Sequence, residues 1–336
     1  MTPLSCTSIQ PYASGNAYMA PFSARSTTVP TFAHQHRPAA RSRPRALTSA
    51  PMTFSIVARS EDGSHLGVAV ASKFLAVGAA VPAADVRAGA IATQALANLA
   101  YRPDGLDLLR AGMDAAETVA KLTADDEGRD DRQLGIVDMN GGASTFTGVD
   151  CVPWAGGTAG TTSSGSAYAV QGNILAGPQV VDAVIAAWEA SDPQRGFHHR
   201  LVDALLAGDL AGGDSRGRQS AAVFVVTPKG GYGGTNDVLV DLRVDDHSHP
   251  IPELQRLMDI RDMLFGDVDI DACLPLTGEI ADEVSQRLAS LGRTDGDVEK
   301  SLNIWADIEN LEERMVPGHI DPVVLGHLRA LTGSSS

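Results

Sequence analysis

Long apolar runs are missing from this chain, aromatic residues make up only 5% of it, and it has just three cysteines. With no run of about 18 apolar residues, the sequence predicts no helix that spans a membrane. Cys6, Cys151 and Cys273 are too widely spaced for a disulfide framework and form no C-x-x-C motif, so they point to a reducing, cytoplasmic setting. Lysine is scarce and the body lacks any basic cluster, while the formal net charge is -15. Such a field repels a phosphate backbone, which sets nucleic acid aside as a partner.

Metal and phosphate motifs are lacking as well. Asp245-Asp246-His247-Ser248-His249 does not have the spacing of a helix-borne zinc site and reads as a solvated turn. His198-His199 beside Arg200, at a predicted helix start, read as surface residues. Gly156 to Ser166 (GGTAGTTSSGS) lacks the Gly-Lys-Ser/Thr ending of a phosphate loop and is expected to be a flexible loop. The sequence thus predicts no metal and no cofactor, and leaves a small molecule as the substrate.

What is present is 43% apolar residues over 336 positions, ample for a buried core. Residues 1–51 are the exception: rich in Arg, Ser, Thr and Pro, with no Asp or Glu. This composition predicts a disordered leader, either transit-peptide-like or the product of a mis-called start with Met52 the true one. From Thr53 the pattern changes. Thr53 to Arg59 and Leu66 to Ser72 are β-rich runs around the turn cluster Ser60-Glu-Asp-Gly63, which predicts a hairpin. Its second strand has small residues (Gly67, Ala69, Ala71) on one face, so a neighbour should pack closely there. Further strands are predicted at 89–94, 134–139, 143–147, 167–171, 219–227 and 238–244. Helices are predicted from the Asp114/Glu117 capping pair to Thr123, after Pro178, and over 198–206.

After an acidic linker at 267–274, three amphipathic periods follow: Ile280/Val284/Leu288/Leu291, Ile304/Ile308/Leu311/Met315 and Val324/Leu325/Leu328/Leu331. A helical module of this size has a small core, and is expected to dock on the main domain or on a partner protomer of a homo-oligomer.

The blocks Thr53 to Arg59, Gly67 to Phe74, Ala76-Val-Gly78 and Ala92-Thr-Gln-Ala95 closely resemble the family called domain of unknown function 1028. Later blocks follow in order: Gln171-Gly-Asn173, Gly212 to Ala222, and Asp241 to His247 with Pro250 and Glu253-Leu254. Residues 275–332, with Trp305, Glu309 to Arg314 and Ile320-Asp321, resemble the peptidoglycan-binding-like module that often trails this family. The family is grouped by fold with the N-terminal-nucleophile hydrolases. The resemblance therefore implies an α+β fold, a four-layer αββα sandwich over residues 52–266, and with it amide hydrolysis. The trailing module adds a cell-wall fragment as a possible ligand.

An N-terminal nucleophile uses its own α-amine as base, so only the first residue of a mature chain qualifies. Thr53 fills that place if Met52 is the start and is removed, and it is equally accounted for as a β-branched strand opener. Asn173, at a strand end, can donate to an oxyanion or simply satisfy a turn. Thr93, Gln94 and Asn98 at another strand end, and Ser72 at the end of the hairpin, are candidates for lining the same pocket. Asp214, Arg216 and Gln219 lie on a glycine-loosened loop before an apolar strand, where Arg216 can clamp a carboxylate or pair locally with Asp214. A non-catalytic ligand-binding protein on the same fold is the alternative.

Overall fold

The computed structural model describes residues 53–333; the expectations for the leader, Met52 and Cys6 fall outside them. The predicted hairpin forms, with β1 (Thr53–Arg59) antiparallel to β2 (Leu66–Ser72). The chain continues through α1 (Val77–Ala80), β3 (Pro82–Asp85), β4 (Gly89–Ala95), α2 (Tyr101–Arg110), α3 (Ala115–Ala124), β5 (Arg132–Asp138) and β6 (Ala143–Thr147). Next come β7 (Gly156–Thr161), β8 (Ala167–Asn173), α4 (Gln179–Glu189), α5 (Phe197–Leu210), β9 (Ser220–Val226), β10 (Val238–Val244) and α6 (Pro250–Phe265). Two antiparallel sheets result, one of six strands in the order β10-β9-β2-β1-β8-β7 and one of four in the order β3-β4-β5-β6.

The period-2 alternation of the strands sorts the core. Phe54, Ile56 and Ala58 of β1 turn outward and pack with Val184, Trp188, Leu201, Leu205 and Leu254 of α4, α5 and α6. Val57, with Val68 and Val70 of β2, turns the other way and meets Ala90, Ala92 and Val137 of the second sheet. The far face of that sheet, with Ile91, Leu134 and Ile136, is covered by Leu106, Leu109, Val119 and Leu122 of α2 and α3. The protein is thus a mixed α/β body of antiparallel sheets. The small face of β2 meets α5: a methyl group at Gly67 would lie 2.9 Å from Leu201 Cδ1. The Asp114/Glu117 capping box is formed at the start of α3. Among the described residues, no helix is long and apolar enough to cross a membrane.

Three expectations need correction. Gly156–Thr161 is not a flexible loop but the edge strand β7, paired along β8; the backbone of β8 supplies the ladder that its side chains do not advertise. His198 and Arg200 are not at the surface. They are 7% and 2% exposed, because Arg200 is paired with Glu61 and lies over Trp188 while His198 is covered by α6. Finally, the buried stripe of α8 is not the predicted one.

The C-terminal helices are α7 (Gly278–Ser290), α8 (Val298–Glu309) and α9 (Pro322–Thr332), joined by a short pair of strands, β11 (Leu274–Pro275) and β12 (His319–Ile320). Val284, Leu288, Leu302, Trp305, Ala306, Leu311, Val324, Leu325 and Leu328 form their core. Ile308 is half-exposed, since Trp305 takes the inward position of α8 and rotates the expected Ile304/Ile308 face away. Arg314, itself buried, pairs with Asp321 and donates to the carbonyls of Met263 (2.5 Å) and Asp262 (2.8 Å) at the end of α6.

Candidate active site

β1 lies in the middle of the six-stranded sheet, and its first residue, Thr53, is registered against Ser72 on β2 and Asn173 on β8. Alternation points Thr53 and Ser55 into the space between the sheets, where apolar side chains give way to a buried polar layer. Thr53 Oγ1 lies 3.1 Å from Ser72 Oγ. Ser55 Oγ donates to Gln94 Oε1 at 2.6 Å and accepts from Gln171 Nε2 at 2.7 Å. Gln94 Nε2 holds the Thr53 carbonyl (3.1 Å) and reaches Gln133 Oε1 (2.8 Å).

Gln133 is the hub of this layer. Its oxygen also accepts from Asn173 Nδ2 (3.0 Å), and its Nε2 donates to Gly172 O (2.8 Å), Thr147 Oγ1 (2.9 Å) and Gly156 O (3.2 Å). The layer therefore ties β1, β8 and β7 of one sheet to β4, β5 and β6 of the other. Its members are almost wholly buried, where an unmade hydrogen bond is costly and a made one fixes geometry. One atom remains unpartnered: Gln171 Oε1, pressed over Gly135, where a methyl group would lie 2.0 Å away.

The structure brings Thr53, Ser72, Gln94 and Asn173 together. It adds Asp214 nearby, whose Oδ2 accepts from the Lys73 backbone N–H at 2.7 Å and whose backbone bridges to Leu175. Arg216 Nη2 lies 3.3 Å from Asp214 Oδ2, which is the local pairing, and Gln219 is tied to the same edge by its N–H to Ser72 O (3.1 Å) and its amide to Asp246 (3.1 Å). Thr93 and Asn98 are placed elsewhere. Thr93 points to the opposite face of β4 and donates to Asn98 O at 3.3 Å. Asn98 lines an acidic cleft of about 460 Å³ with Tyr101, Asp104, Asp107 and Asp126. Gln133 was not singled out in the sequence, and Gln171 entered only as part of a family-like block, not as a site candidate. Their signal is an amide at an inward position of a strand whose other inward residues are small or apolar. Cys151 is no alternative nucleophile, because burial pushes its thiol up to about 11.

Asn173 Nδ2 gives one N–H to Gln133 and directs the other at Thr53 O over 3.5 Å, the limit of a hydrogen bond. That second N–H is the one a substrate oxygen can take over. A hydroxyl, a neighbouring hydroxyl and an amide donor thus meet at the end of β1, on strands locked by the polar layer.

Residues 53–254 match the model of the family of unknown function DUF1028, and residues 271–328 match that of a "Putative peptidoglycan binding domain". The crystal structure of a DUF1028 protein from Silicibacter pomeroyi is similar at a TM-score of 0.54, with 31% identity over 69% of this chain and 93% of that one. No curated protein matches the chain. The family model spans the polar layer from Thr53 to Asn173 and on through the Asp214 loop, and by that match the chain belongs to the DUF1028 family.

Proposed function

We propose that residues 52–266 are a four-layer αββα hydrolase of the N-terminal-nucleophile type, cleaving an amide in a small amide or amino-acid-derived substrate. Thr53 is the nucleophile once the preceding residues are removed. The observation that carries this reading is the setting of Thr53: first residue of a central strand, its hydroxyl 3.1 Å from Ser72 and its carbonyl held by Gln94. Two sheets packed face to face, with helices against their outer faces, support the layered architecture. The freed α-amine takes the hydroxyl proton as Oγ1 attacks the carbonyl carbon, then returns it to the departing amine. Asn173 Nδ2 steadies the oxyanion, and water cleaves the resulting ester. Asp214, Arg216 and Gln219 form the rim that meets the substrate; Thr93 and Asn98 have no place in it.

Intact-mass analysis should find a chain beginning at Thr53, and a β-lactone probe should add its mass to that chain and not to Thr53→Ala. Thr53→Ser should keep part of the turnover, and Asn173→Ala should lower it by roughly 10² to 10³. A mature chain that retains its leader and resists the probe would sink the proposal. The match of residues 271–328 to a peptidoglycan-binding description favours a second reading, a non-catalytic receptor for a cell-wall fragment. In that case muropeptide binding persists unchanged in Thr53→Ala, with no product formed by the native chain.

A further inference from the structure

At the other end of β1 from Thr53, α5 and α6 meet through three donor groups. His198 Nε2 lies 3.2 Å from Asp262 Oδ1, and His199 Nε2 lies 2.5 Å from Asp262 Oδ2. All three ligating atoms fall within 4.8 Å of one another. Consecutive helical residues ordinarily point about 100° apart and do not share a partner. Here they sit in the first turn of α5, and their rings, 4.5 Å apart, converge on one carboxylate. The histidine side chains are 9% and 16% exposed and the Asp262 side chain is 34% exposed, so the cluster is sheltered yet reachable from solvent.

Two imidazoles and one carboxylate make a nitrogen-rich donor set that suits a first-row transition ion, whereas Mg²⁺ and Ca²⁺ take oxygen ligands. Tetrahedral zinc with bonds near 2.0–2.1 Å sets its donors about 3.3 Å apart; with Oδ1 as the ligating oxygen, its 3.2 Å separation from His198 Nε2 already fits, and His199 Nε2, which now rests against Oδ2, turns from that oxygen toward the ion. Arg261 Nη1 also lies 3.0 Å from Asp262 Oδ1. It can stay on the oxygen's second lone pair. The protein's net charge of -15 favours a divalent cation.

We propose that His198 and His199, through Nε2, and the Asp262 carboxylate bind one Zn²⁺-class ion, with water completing the tetrahedron. On binding, each ring carries its single proton on Nδ1 and presents the Nε2 lone pair to the metal. Along α5, His198 stands roughly 16 Å from Asp209 at the Thr53 end, at 1.5 Å per residue, so the ion takes no part in chemistry at Thr53. It clamps α5 to the last turns of α6, where Arg314 of the helical module holds the Asp262 carbonyl. The site borders a cleft of about 720 Å³ lined by His65, Arg195, His198, Arg200 and Arg261.

The test is titration of the full chain, stripped with EDTA and dialysed, with ZnCl₂ followed by calorimetry. One equivalent should bind in the micromolar range or tighter and raise Tm, and Co²⁺ should give the intense visible absorption of a four-coordinate N/O site. His199→Gln and Asp262→Asn should each weaken binding by about 10-fold or more and abolish the Tm rise. His247→Gln/His249→Gln and His34→Gln/His36→Gln should change nothing. Absence of a saturable equivalent, equal affinity in the first two variants, or loss in either control pair would overturn the proposal. Should the first two variants misfold by circular dichroism, the Co²⁺ spectrum of the native chain decides: a weak six-coordinate band refutes the site.

Discussion

Replacing Ser55 by alanine tests whether the polar layer holds the two sheets in register. The hydroxyl makes two bonds, donating to Gln94 Oε1 at 2.6 Å and accepting from Gln171 Nε2 at 2.7 Å. Neither atom has another hydrogen-bond partner among the described residues, and both residues are at most 1% exposed. The variant strands one acceptor and one donor, at about 1–3 kcal/mol each. Partial relaxation brings the expected loss to about 3 kcal/mol, or a fall in Tm of roughly 6–12 °C at the 2–4 °C per kcal/mol typical of this chain size. Urea denaturation should show an earlier midpoint with an unchanged slope, as for a change of stability alone. Ser72→Ala, which removes the 3.1 Å contact with Thr53 at the strand end, should cost less. A loss below about 1 kcal/mol for Ser55→Ala would show that Gln94 and Gln171 re-pair on their own, and would refute the layer as a fixed network.

Gly135→Ala places a methyl group 2.0 Å from Gln171 Oε1 and should destabilise by about 1–3 kcal/mol in the same denaturation assay. Arg314→Ala leaves the buried Asp321 carboxylate without its cation and should cost about 3–5 kcal/mol, read by Trp305 fluorescence in a Trp154→Phe/Trp188→Phe background. His65 concerns pH. Burial holds its imidazole below the ordinary 6.5, with His198 adding to the effect and Asp62 opposing it. The unfolded chain then takes up the proton first, so Tm should be level above about pH 7 and fall as the pH drops below 6.5. His65→Gln should flatten that slope between pH 7.5 and 5.5.

The strands that were legible from sequence are those whose alternation is strong. The hairpin of Thr53 to Arg59 and Leu66 to Ser72, with the strands at 143–147 and 238–244, matches the expected bounds, because each carries β-branched or aromatic residues against a packed face. β7 was hidden by composition: Gly157 is required where Val170 O and Thr145 Oγ1 crowd the strand at 2.8 and 2.7 Å from any added methyl group, so its glycines reflect close packing and not looseness. α2 was missed because Pro103 and Gly105 interrupt its pattern, although Pro103 falls in the first turn, where a proline is tolerated. α6 was not predicted either, although Pro250 opens its 16 residues where a proline suits a first turn. That omission also hid the histidine cluster, since α6 brings Asp262 to His198 and His199. Thr53 and Asn173 stood out locally, but the amide network between them depends on two strands, β5 and β8, lying in different sheets.

Arg314 donates to the Met263 carbonyl at the C-terminal end of α6, where a helix otherwise leaves acceptors bare, and adds a second donor to the Asp262 carbonyl, which already accepts from Gly266 N–H. The two family segments, 53–254 and 271–328, are therefore separable in a sequence comparison but share a helix terminus in the folded chain. Without the module the Met263 carbonyl would lack its side-chain donor, and without α6 the buried Arg314 would lose two of its acceptors.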